Sequence, residues 1–357
     1  MAAGLRPVAG STPSETRRIV LSAPLIILVP FGLLAIVAGL CFVGCSFHPL
    51  LEWTKYTDDT VLANPAVVAY WPLGEVADTD PAVDRVAGHN GSYVDAVTVP
   101  SLYPWPAFSV PNPPGPDVQS AAAPGTLLLG QPGIVQGDSI QPGNQFDVRT
   151  DCIVVNGGYV NIPRNAAFNP PTSFTVEAWV RVDWDKSAPH AYRSVLDLRD
   201  TVAGGTGFAL YAKPDANQPG IYHWEAAIGN GGSGGAAFTL ATSDDPPITL
   251  DDSSLPAGVT YHLAVTYDGP SQTLILYVDG EQRGPKVTPA TYVPNTTKPL
   301  WIGAGGSYLP LRPQGPGVVA SPLFPYDGAI QDVAIYNAAL TSDVILLHYH
   351  NGNGIAS

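Results

Sequence analysis

Phe174-Thr175-Val176-Glu177-Ala178-Trp179-Val180-Arg181-Val182 sets five apolar residues alternately with Thr175, Glu177, Trp179 and Arg181. Successive side chains of an extended chain point to opposite faces, so this period of two predicts a strand with Phe174, Val176, Ala178, Val180 and Val182 turned to a core. The same device recurs downstream at Leu263, Val265 and Tyr267, and again at Leu274, Leu276 and Val278. Asp268-Gly269-Pro270-Ser271-Gln272 joins those two runs as a hairpin-like loop, and Asp279-Gly280 supplies the next tight turn. The one short helical candidate runs from Thr341, as cap, to about Tyr349, with Asp343 in its first turn. Between the strands lie turn-rich stretches: a Pro/Gly/Ser-rich excursion at about 101–150, an irregular one from Gly306 to Pro325, and a loop from Gly229 to Gly235.

Composition agrees with an all-β body. Gly and Pro number 37 each among 357 residues, and only 13% of residues are charged. The net charge of −14 is unevenly placed: Arg6, Arg17 and Arg18 face Glu15 in the first eighteen residues, which leaves −16 for the remainder. Such a surface repels phosphate backbones and argues against nucleic acid as a partner. Cys41 and Cys45 lie in the N-terminal stretch and Cys152 stands alone in the body, so no disulfide framework is expected there.

Residues 19–47 contain no charged side chain and are long enough to cross a bilayer as a helix. Arg17 and Arg18 precede the run directly, which predicts a cytoplasmic N-terminus and an extracytoplasmic body at the plasma (inner) membrane. Ala35 and Gly39 have the spacing that lets another helix approach closely. Phe42-Val43-Gly44-Cys45 supports an alternative, a lipoprotein anchored at Cys45. Both readings tether the body to a lipid bilayer.

Several motifs in order resemble laminin G-like domains of the concanavalin A-like jelly-roll class. They are Val68 to Glu75 (VAYWPLGE), Gly157 to Pro163 (GGYVNIP), Phe174 to Val180 (FTVEAWV), Tyr261 to Gly269 with Leu276 to Gly280, and Asp327 to Asn337. The resemblance covers about 67–350. It implies a sandwich of two antiparallel sheets with neighbouring chain ends, here preceded by one transmembrane helix. The expected organisation is a cytoplasmic segment 1–18, a span 19–47, a juxtamembrane linker 48–66, a jelly-roll domain 67–350 and a tail 351–357.

The resemblance also implies binding of sugars, proteins or other surfaces, often beside a structural calcium ion. Glu75, Asp84 and Asp332 are the positions that correspond to such a site, although Gln331 stands where an Asp is usual. Calcium takes several oxygen ligands, which carboxylates supply. Catalysis is not expected. Glycoside hydrolysis needs paired carboxylates, and the body has only Glu52, Glu75, Glu177, Glu225 and Glu281, none of them in an alternating cluster. His348 and His350 lack an obvious third metal ligand, and His223 and His262 read as structural. Trp71, Trp179, Trp224 and Trp301 fall in strands and read as core, while Trp105 and Trp184 read as surface. The function expected is a membrane-tethered scaffold, an accessory subunit making protein contacts in a membrane complex. A lectin-like glycan-binding protein is the alternative, and a glycan-processing enzyme the remaining one.

Overall fold

Two antiparallel eight-stranded sheets form the body. The computed structural model describes residues 56–75, 79–94, 126–135, 151–184, 191–200, 204–218, 220–233, 237–243, 248–249, 258–305 and 324–354. The first sheet contains β1 (Val67–Trp71), β3 (Thr126–Pro132), β4 (Asp151–Asn156), β6 (Ser173–Val182), β12 (Thr260–Asp268), β13 (Thr273–Val278), β14 (Glu281–Gln282) and β16 (Asp327–Tyr336). Its order is β14-β13-β12-β6-β16-β4-β3, with β1 also on β16. The second sheet contains β2 (Ser92–Val94), β5 (Tyr159–Ile162), β7 (Arg193–Asp197), β8 (Phe208–Pro214), β9 (Ile221–Gly229), β10 (Phe238–Thr242), β11 (Ile248–Thr249) and β15 (Leu300–Ile302). Its order is β10-β9-β8-β7-β15-β5-β2, with β11 also on β9.

The expected alternation of β6 is realised. Phe174, Val176, Ala178, Val180 and Val182 point into the core between the sheets, beside Leu263, Val265 and Tyr267 of β12. The second sheet answers with Val195, Leu210, Trp224 and Ile228. Phe174 stacks on Phe208 at 5.1 Å between ring centroids, joining the sheets through an offset aromatic pair.

β16 lies at the centre of the first sheet and changes partners along its length. Asp327 to Ile330 pair with β4, whereas Val333 to Tyr336 pair with β1. The register against β6 shifts between Gln331 and Ala334, and Asp332 takes a φ of 53° there. The extra residue of a bulge bends the strand and re-aims its side chains. Gln331 holds the chain that follows β3: its Oε1 accepts the N–H groups of Ile134 (2.7 Å) and Val135 (3.3 Å).

Some expected boundaries move. Of the linker expected at 48–66, residues 48–55 lie outside the described residues, while Tyr56–Val61 makes a π-helical turn with Tyr56 and Val61 buried. The excursion at 101–150 contains β3, whose Leu127 and Leu129 pack on the core. Of the other loops, 306–323 and 234–236 lie outside the described residues. The only α-helix among the described residues, α1 (Ser342–Gly352), runs past the expected domain end at 350. Thr341 occupies its N-cap position with extended backbone, but its side chain makes no capping bond. Residues 19–47 and Cys45 also lie outside the described residues, among which no helix is long and apolar enough to cross a membrane.

Candidate functional site

The outward face of the first sheet is divided into a sealed half and an open half. Thr175, Glu177 and Trp179 of β6 all point outward, and the chain's own terminal elements determine what each meets.

Over Glu177 and Trp179 the face is sealed by α1 and the Tyr56–Val61 turn. These two elements touch each other, with Asn351 Nδ2 donating to Thr60 Oγ1 at 2.8 Å. Glu177 is 0% exposed. It accepts the Tyr336 hydroxyl, and His348 Nδ1 of α1 lies 2.9 Å from its Oε2. His262 Nε2 lies 3.5 Å from the same oxygen, within ion-pair range. Burial by itself would raise this carboxyl, but the charge of His348 and hydrogen bonding from His262 and His348 outweigh it and hold Glu177 well below the usual carboxylate range. Burial, together with Glu177, pushes the Tyr336 phenol far above its ordinary value. Trp179 is sandwiched nearby, stacked on Tyr349 at 6.0 Å and edge-on to Tyr56 at 5.9 Å. Gly352 passes so close that a Cβ there would sit 2.1 Å from Trp179 Cζ2. Glu177, which stands alone in the sequence, is thus the centre of a buried polar cluster. Trp179 packs outward beneath α1 rather than between the sheets.

The open half begins where α1 begins. Thr175 Oγ1 donates to Ala338 O (2.7 Å) and accepts from Leu340 N–H (2.8 Å), which pins Asn337–Thr341 across β6 as a wall. Between this wall and the β12–β13 hairpin runs an open groove of about 610 Å³. Thr266, Ile275 and Tyr277 form its floor, and Ser173, Asp268 and Thr273 line its far end. The pairing explains the convergence: Asp268 stands opposite Ser173 on one side and Thr273 on the other. Thr172, Ser271, Asn337 and Thr341 add hydroxyl and amide groups. Sequence reasoning read 268–272 only as a hairpin loop. The signal available was the density of Ser and Thr at Thr172-Ser173 and at Ser271 and Thr273.

The residues expected to bind calcium do not form one cradle. Asp84 Oδ1 accepts the N–H groups of Tyr70 (2.9 Å) and Val86 (3.0 Å). Its Oδ2 accepts those of Ala87 (3.2 Å) and His89 (3.0 Å) and lies 2.9 Å from His89 Nδ1. Both oxygens therefore organise a turn. Glu75 accepts Val83 N–H at 2.9 Å and the Tyr93 hydroxyl. Asp332, re-aimed by the bulge, accepts the Tyr70 hydroxyl at 2.5 Å. Asp84 and Asp332 thus hold opposite ends of one tyrosine. Among the described residues no group of three or more His, Cys, Asp or Glu is arranged to hold a metal ion.

Other expected positions sort by environment. Trp184, expected at the surface, is 3% exposed and packs edge-on to Tyr222 and Tyr326. Trp71 and Trp224 are core. Trp301 is half-buried on the second sheet, its indole N–H on Asn161 Oδ1 at 3.1 Å, and Trp105 lies outside the described residues. His223 Nδ1 lies 2.9 Å from Ser243 O. Glu225 is buried and accepts Tyr211 OH (2.6 Å), Lys213 Nζ (3.0 Å) and Thr242 Oγ1 (2.6 Å).

Comparison with known proteins adds a family and distant structural likenesses. No curated protein matches the chain. Among solved structures, the receptor-binding domain of botulinum neurotoxin C/D mosaic serotype is 12% identical at a TM-score of 0.44, with 80% of this chain and 51% of that one covered. The chain thus spans about half the length of that domain. A Ruminococcus gnavus IT-sialidase CBM40 bound to alpha2,6 sialyllactose is 15% identical at a TM-score of 0.36, covering 50% and 83% respectively. Likenesses of this degree do not say what this chain binds. The sequence model of the laminin G-like family described as the concanavalin A-like lectin/glucanases superfamily matches residues 155–346. That stretch holds most of both sheets and both walls of the groove, and on it the chain belongs to the laminin G-like branch of the concanavalin A-like superfamily.

Proposed function

We propose that the chain is a non-catalytic binding protein, tethered to a membrane through residues 19–47, whose sandwich offers the groove beside α1 to a glycan. The groove carries this reading: it is open, about 610 Å³ in volume, and lined by hydroxyl, amide and carboxylate groups over a floor containing Ile275 and Tyr277. Oligosaccharides need such a mixture, since their hydroxyls exchange hydrogen bonds while their C–H faces rest on apolar surface. Hydrolysis is not supported there. Asp268 is the single carboxylate among the lining residues, whereas glycoside cleavage uses two. Glu177 and Glu225 are buried and engaged by tyrosine, His, Lys and Thr side chains.

The test is binding of the detergent-solubilised full-length protein to an array of oligosaccharides, repeated with Thr273→Ala and Asn337→Ala. Retention of a defined subset that both substitutions weaken supports the reading, and a blank array removes it.

A second reading, a protein scaffold or accessory subunit of a membrane complex, draws on the sealed half of the same face. Adjacent residues Leu346 (37%) and Leu347 (41%) of α1 are among the exposed large hydrophobics. Stoichiometric partners that co-purify at high salt, and that are lost when Leu346 and Leu347 become Ser, would favour it.

A further inference from the structure

The groove contains one charge. Asp268 ends β12 half-buried, where Ser173 Oγ donates to its Oδ1 at 3.3 Å and Ser271 Oγ to its Oδ2 at 2.5 Å. A carboxylate has about four acceptor positions, so two hydroxyl donors leave it capacity for a ligand. The groove offers no counter-charge, because none of its lining residues is Lys, Arg or His. The chain as a whole carries −14, which adds a repulsive background for anions. A ligand hydroxyl or ammonium entering the groove gains a charge-assisted hydrogen bond, whereas a ligand carboxylate or sulfate meets an uncompensated like charge.

We propose, on the glycan reading above, that the groove selects by charge. It accepts neutral and amino-sugar chains and rejects acidic ones, with Asp268 as the specificity-determining residue. The rejection acts through water-filled space, so it is modest, about tenfold for one charged sugar beside Asp268.

The test uses β-1,4-linked hexamers of glucose, glucosamine and glucuronic acid, which share a backbone and differ in charge. Each is titrated calorimetrically into the full-length protein in detergent, slightly below neutral pH and at low salt. The expected affinity order is glucosamine, glucose, glucuronic acid, with about tenfold between successive members. Asp268→Asn, which keeps the shape and one accepting oxygen for the serines, is expected to bring the three together within about twofold. Thr273→Lys places an ammonium across from Asp268, compensates its charge and is likewise expected to narrow the spread. Thermal melts of both variants report whether the fold survives. Wild-type protein that binds the glucuronic acid hexamer as tightly as the glucose hexamer overturns the charge rule alone, as does an unchanged spread in both variants. Failure of all three hexamers to bind removes the glycan reading and the charge rule with it.

Discussion

Replacing Glu177 with Gln isolates the contribution of one charge to the docking of α1. The side chain is wholly buried, and its oxygens meet Tyr336, His348 and His262. Removing one member of a buried charged pair typically costs about 3–5 kcal/mol, because the partner remains buried without its counter-charge. The amide still accepts from Tyr336, which puts the expected loss near the lower end, about 3 kcal/mol. In a body of this size that is a fall in Tm of roughly 6–12 °C. The pH dependence has a fixed sign. Glu177 titrates below its unfolded value, so its contribution is complete above about pH 4.3 and fades as pH falls toward the depressed folded value. Urea unfolding at a series of pH values, for wild type, Glu177→Gln, His348→Ala and the double variant, measures both effects. The double variant should cost less than the two singles added, with coupling of about 2 kcal/mol. An unchanged midpoint for Glu177→Gln at neutral pH, together with a wild-type acid slope, would refute the argument that this pair holds the helix.

Gly352→Ala drives a methyl into Trp179 and should cost about 1–3 kcal/mol, with a change in tryptophan fluorescence as the end of α1 lifts. Thr175→Val keeps the shape but strands Ala338 C=O and Leu340 N–H; a loss of about 1–3 kcal/mol and faster hydrogen exchange at Leu340 are expected. Burial holds the phenols of Tyr70, Tyr326 and Tyr336 far above their ordinary value, so they should stay un-ionised in an ultraviolet titration until alkaline unfolding. The stability from these phenols is present below about pH 10 and is lost above it, because there the unfolded chain ionises first. Chelation should leave the melting temperature unchanged, since Asp84 spends both oxygens on its own turn.

The parts of the fold readable in the sequence are those set by local periodicity. The alternation of β6 named its inward residues, and the run from Asp327 to Tyr336 emerged as a strand at the expected place. What β6 does on its other face was not readable. Glu177 depends on His348, 171 positions away, and a lone acid in a strand gives no local sign of that partner. Tyr56–Val61 looked like linker because its burial comes from α1 and the sheet. Asp332 faces Tyr70 through a bulge that its local sequence does not announce. The groove was hidden for the same reason: its walls come from 172–173, 266–277 and 337–341, joined only by sheet register.

The place of β16 bears on how the chain is made. Among the described residues it is the last strand, yet it lies in the middle of the first sheet, bonded to β6, β4 and β1. A nascent chain stopped before Asp327 holds all the other strands of that sheet, but β1 and β4 lack the neighbour that ties them to β6. The first sheet therefore closes only once Asp327–Tyr336 has emerged, and until then β1 and β4 lack the neighbour against which they pair.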